Sequence, residues 1–181
     1  RVDFYYMIPI RELQTLRIAD SLSTAFLFAN ARILDTNYRE ITTLRREFKI
    51  AIVDRDAPFF VIDELRTLLQ PGKYILGLEL VNNYNERKGV YRFDLDVRDF
   101  TNADLSISDI QPAVSVTVGS LEDKFIKPDT RIRVVPFPGE YFDGSKPLSV
   151  YYEISNLTRD LNGASSYEIS YTLEPVRNGN I

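Results

Sequence analysis

Alternation of apolar and polar side chains along short segments constrains this chain more than any other feature. Successive side chains of a β-strand point to opposite faces, so a period of two marks a strand with one face buried. Leu148, Val150, Tyr152 and Ile154 form one row, opposite Ser149, Tyr151, Glu153 and Ser155. Tyr167, Ile169, Tyr171 and Leu173 alternate with Glu168, Ser170, Thr172 and Glu174. The rows Tyr91, Phe93, Leu95, Val97 and Tyr74, Leu76, Leu78, Leu80 behave alike, as do Phe48, Ile50 and Ile52. Weaker strands are predicted over 114–118 and 131–135. Burying one such side chain contributes roughly 1.5–3 kcal/mol. A row of four therefore fixes register, because a one-residue slip would turn the whole row to water.

Turn residues fall between these rows. Pro71-Gly72, Asn82-Asn83, Lys88-Gly89, Pro138-Gly139, Asp143-Gly144 and Asn162-Gly163 punctuate the pattern where the chain must reverse. Only Val61, Leu65, Leu68 and Leu69 fall at helical spacing, over a stretch that suits a strand or a single turn equally. Leu69-Gln70-Pro71-Gly72-Lys73-Tyr74 matches the tyrosine corner of immunoglobulin and fibronectin type III sandwiches, in which the Tyr hydroxyl bonds back to the turn backbone.

These signals predict an all-β fold of two tandem immunoglobulin/fibronectin-III-like β-sandwich domains. The first spans 1–99. The second spans 105–181 and is incomplete, truncated at its C-terminus. The polar stretch 99–104 reads as the linker between them. A weak internal repeat supports the division: Val2-Asp3-Phe4-Tyr5-Tyr6-Met7-Ile8 resembles Leu148-Ser149-Val150-Tyr151-Tyr152-Glu153-Ile154. The chain opens on Arg1 rather than Met, as expected of a processed or trimmed piece. An unfinished sandwich leaves strand edges and an apolar face open, which invites pairing with another chain.

Absent residues narrow the chemistry. The chain has no Cys, no His and no Trp. Thiolate and imidazole zinc sites and His-dependent nucleophiles are excluded, and no disulfide staples the fold. The formal charge of −4 is mild and the basic residues are scattered, so the clustered Lys and Arg that phosphate binding needs are missing. No apolar run reaches the length of a membrane-spanning helix.

Several pieces together resemble the C-terminal region of the bacterial GWxTD-motif proteins. They are Phe4-Tyr5-Tyr6-Met7-Ile8-Pro9 with Leu13-Gln14, then 69–74, Leu105-Ser106-Ile107-Ser108-Asp109-Ile110, and 148–157. The resemblance implies a β-sandwich region of a secreted or envelope-associated, extracytoplasmic bacterial protein. The motif that names the family requires Trp, so nothing attached to it carries over to these residues.

No catalytic residue, metal ligand or cofactor is assigned. Asp54 and Asp56, and Asp94 and Asp96, each share a strand face, and both pairs read as solvated surface rather than the cleft-flanking carboxylates of glycoside hydrolysis. Asp94, Asp96, Asp99, Asp104 and Asp109 surround the linker with oxygen ligands of the kind calcium takes, without a calcium-loop motif. Asn156-Leu157-Thr158 fits a glycosylation sequon. The binding candidates are aromatic. Tyr5 and Tyr151 lie opposite the apolar rows of their strands, and Tyr141 and Phe142 sit in a Pro- and Gly-rich loop. Such residues pack against a neighbouring domain, anchor a protein partner or stack on a sugar ring. The expected role is a non-catalytic structural or protein-interaction module with a protein partner or self-association. A carbohydrate-binding module is the alternative.

Overall fold

The computed structural model describes residues 1–19, 22–54, 60–102, 104–128, 130–139, 145 and 147–172. Among these the fold is all-β and antiparallel, with one 3-10 turn (Ile10–Glu12) and no α-helix.

β3 (Leu22–Asp35) carries the alternation furthest, burying Ala25, Leu27, Ala29, Ala31 and Ile33 in turn. It is hydrogen-bonded on both sides, to β4 (Glu40–Ile52) and to β6 (Gly72–Asn82). β2 (Leu16–Ala19) pairs with its first residues, and β7 (Lys88–Val97) pairs with β6, completing a five-stranded sheet. β1 (Val2–Pro9) and β5 (Phe60–Thr67) form a second sheet, in register from Val2 opposite Thr67 to Pro9 opposite Phe60. Phe4, Tyr6 and Leu65 from this pair meet Ala29, Ala31, Ile33 and Leu76 of the larger sheet in one core. The small alanines of β3 leave room for the two aromatic rings of β1, the complementary filling that dense cores require.

The stretch with helical spacing is strand β5. Its alternation was hidden because Asp63 and Glu64 are buried in succession, so polarity does not report the inward face there. The tyrosine corner forms as expected: the Tyr74 hydroxyl donates to the Gln70 carbonyl at 2.9 Å. Gly72 turns the chain ahead of it at φ 152°, a conformation that side-chain-bearing residues avoid.

After β7 come β8 (Ser106–Ile107), β9 (Gln111–Val118), β10 (Ile132–Pro136), β11 (Ser149–Tyr151) and β12 (Ile154–Ser155). β9 lies between β10 and β11, and β8 pairs with β12. The predicted strands at 114–118 and 131–135 are thus partners, Ile132 opposite Val118 through Val135 opposite Ser115. Three expectations are corrected. Lys88-Gly89 is not a turn but opens β7, paired with Val81 and Leu80. The row 148–155 is not one strand: it splits around Tyr152 and Glu153, leaving β9 to join β8. Its resemblance to β1, which runs unbroken along β5, therefore stops at sequence. The described part of the predicted strand 167–174, residues 167–172, has no strand structure, and Tyr167, Ile169 and Tyr171 are exposed. Alternation gives a segment two faces, but a strand also needs a ladder partner for its backbone, and none of the described segments supplies one.

The polar stretch around 99–104 is held from outside. The Asn156 side-chain amide donates to the carbonyls of Phe100, Asn102 and Asp104 at 3.2, 2.8 and 3.0 Å. The amide of the sequon is thereby engaged with backbone.

Candidate functional site

Tyr5 lies on β1 between Phe4 and Tyr6, so the pleat that sends those two into the core turns Tyr5 the other way. Tyr151 lies at the end of β11. Far apart in sequence, they meet over one cation. Lys127 reaches in from the segment between β9 and β10, with Nζ 4.7 Å from the Tyr151 ring centre and 5.5 Å from that of Tyr5. Nζ also donates to the Tyr5 hydroxyl at 3.0 Å and to Gln111 Oε1 at 2.6 Å, and lies 3.9 Å from Asp3 Oδ2. Lys127 is only 5% exposed.

A buried ammonium persists only when its donors and charge are answered. Here the Tyr5 hydroxyl and Gln111 Oε1 accept, the Tyr151 ring lies against the ammonium and Asp3 balances the charge. Asp3 is itself shared: Oδ2 accepts from Arg1 at 2.8 Å and from the Tyr5 hydroxyl at 3.2 Å, and Oδ1 has Arg66 Nε at 3.8 Å. Burial holds the Lys127 ammonium below its ordinary pKa, and Asp3 pulls the other way. Burial, then the Asp3 charge, keeps the Tyr5 phenol well above the usual tyrosine range. Burial and a 2.9 Å bond to Glu153 push Tyr151 up to about 12. Both phenols therefore keep their protons near neutral pH, and the amine is committed to its acceptors. The cluster is built to hold position rather than to transfer protons.

A cleft of about 920 Å³ opens beside this cluster, with Leu95, Arg98, Phe100, Pro112, Phe137 and Glu153 among its walls. It falls within the size range of ligand pockets. On its rim Arg98 stacks on Phe100 and pairs with Asp109 at 2.7 Å.

A second buried charge lies on β5. Asp63 is 1% exposed and receives Lys124 Nζ at 2.7 Å, the Tyr6 hydroxyl at 3.2 Å and Arg46 Nε at 3.4 Å. The Lys124 ammonium also donates to the Ile62 carbonyl.

One face of the β10–β9–β11 sheet carries exposed apolar side chains, although Val134, opposite Val116 on that face, is fully buried. Val114, Val116 and Val118 alternate along β9 at 55%, 42% and 84% exposure. Ile132 opposite Val118 and Val150 opposite Pro112 extend the row onto both neighbours, and both are exposed.

Of the residues singled out in sequence, Tyr5 and Tyr151 come together, on Lys127. Tyr141 and Phe142 lie outside the described residues, as does Asp56. Asp94 and Asp96 face solvent on β7. The Asp99 carboxylate accepts from the Thr101 backbone and hydroxyl, which lowers its pKa. No three acidic groups among the described residues converge on a metal position. Sequence reasoning missed Lys127, Asp3, Gln111 and the Asp63–Lys124 pair. One signal was present: Lys124-Phe125-Ile126-Lys127 puts two large apolar residues in a loop, and both are buried. No protein-family model, curated protein or solved structure matches this chain.

Proposed function

We propose that this chain is a non-catalytic β-sandwich module that acts by binding protein, a second copy of itself included, within a secreted or envelope-associated bacterial protein. The observation that carries the reading is the uncovered apolar row of Val114, Val116 and Val118 with its extensions on Ile132 and Val150. Exposed apolar side chains clustered on a sheet favour association, since covering them releases ordered water. The resemblance to GWxTD-motif proteins supports the location. No helix among the described residues is long and apolar enough to cross a membrane.

The carbohydrate-binding alternative rests on aromatic faces that stack on sugar rings. Tyr151 gives it less support than its sequence position suggested, because Lys127 lies against its ring.

Sedimentation at rising concentration tests the reading. The chain is expected to approach a roughly doubled mass, and Val116→Glu with Val118→Glu to return it to monomer. A monodisperse monomer at high concentration would remove self-association. A glycan array with strong hits would move the reading to the alternative.

A further inference from the structure

Lys124 and Lys127 leave one short loop and both enter the β1–β5 sheet from the same side of the sequence, well past the polar stretch 99–104. Lys124 ends on Asp63 at 2.7 Å and on the Ile62 carbonyl at 2.9 Å, both on β5. Lys127 ends on Tyr5 of β1 at 3.0 Å. A third bond runs in the opposite direction, from Arg66 Nη2 of β5 to the Ile126 carbonyl at 3.2 Å. The carboxylates they face, Asp3 at 3.9 Å from Lys127 and Asp63 at 2.7 Å from Lys124, have side chains 10% and 1% exposed. Rim ion pairs between mobile side chains contribute little. Buried charges with several directional partners are different, because any rotation that removes one partner strands a charge away from water.

We propose that the segment 124–127 is a two-pin latch that fixes the β8–β12 part of the chain in one orientation on the β1–β5 sheet, so that the molecule behaves as a rigid spacer. The default for two bodies joined by a polar linker is relative motion. The pins act against that default because they engage both strands of the sheet, and two separated anchor points remove the rotation that one would allow. Tyr151, itself on β11, lays its ring against the Lys127 ammonium while the Tyr5 hydroxyl accepts from it, so the cation is held from both parts. The inference concerns how the molecule is held together and stands whichever partner covers the β9 face.

The chain has no cysteine, so two introduced ones report only on their own separation. Spin labels at Glu47→Cys on β4 and Thr117→Cys on β9, both exposed positions, give a distance distribution by pulsed dipolar spectroscopy. The otherwise unchanged chain is expected to give one narrow peak. Lys124→Met together with Lys127→Met is expected to broaden it about twofold, as released bodies sample more orientations. A broad distribution with both lysines present, or an unchanged narrow peak without them, overturns the latch. If the double variant loses its β circular dichroism, Lys124→Met alone decides, since that side chain is 39% exposed and Asp63 keeps Arg46 and the Tyr6 hydroxyl without it. A partly broadened peak in this variant supports the latch, and an unchanged one overturns it.

Discussion

Two tyrosine hydroxyls illustrate how position sets the meaning of one residue type. Tyr74 closes a turn, and its hydroxyl bonds a backbone carbonyl four residues earlier. Tyr74→Phe keeps the ring and removes that bond, which contributes about 1 kcal/mol. Denaturant unfolding should show the loss as a lower midpoint with unchanged slope, and an unmoved midpoint would mean the corner is held by ring packing alone. Tyr6 instead sends its hydroxyl to Asp63. Burial, then Asp63, raises its phenol pKa above the usual 10.0, and Tyr5 is raised beside Asp3 and Glu64, with Arg66 opposing. Between pH 10 and the raised folded values, the unfolded chain surrenders these protons and the folded chain does not. Stability from both phenols is thus complete below about pH 10 and lost above it. Lys127 works the other way: its pKa is lowered from 10.5, so its burial penalty fades as pH rises towards that value. The phenols dominate beyond it. Melting temperature is expected to fall as pH climbs past 10, more shallowly in Tyr6→Phe. Parallel slopes in the two proteins would contradict this account.

At the level of elements, the chain shows which strands alternation alone can define. β4, β6 and β7 were legible because each has one clear apolar row and a partner nearby in sequence. β5 was ambiguous because its inward row includes Asp63. The row 148–155 looked like one strand because alternation continues through it. What divides it is the change of partner: Ser108 bonds both backbone groups of Glu153, through its N–H to the carbonyl and its Oγ to the amide, at 2.8 Å each. Asn156, which follows β12, then ties down the polar stretch before β8. Asn156→Ala should leave the strands folded while freeing that stretch, so limited proteolysis is expected to cut near 99–104 several-fold faster, as local opening controls cleavage. An unchanged cutting rate would mean the stretch is held by other contacts.

Across the whole molecule, local pattern and distant partnership contribute separately. The sequence by itself determined the all-β fold class, some of the turn positions, most strand faces and the tyrosine corner. These depend on residues within a few positions of each other, and the period of two is enforced by backbone geometry wherever it occurs. The candidate site was only half legible. Tyr5 and Tyr151 stand out as aromatics on the wrong faces, but nothing near them predicts a cation between their rings. Lys127 stands 122 residues from Tyr5. Whether its ammonium lies in water or against the Tyr151 ring depends on which sheets approach, and charge burial is favourable only after the acceptors have arrived. The same holds for Asp63, for the split of 148–155 and for the unpaired segment 167–172. Each is a choice of partner, and partners are decided when distant segments pack together, which only the tertiary structure records.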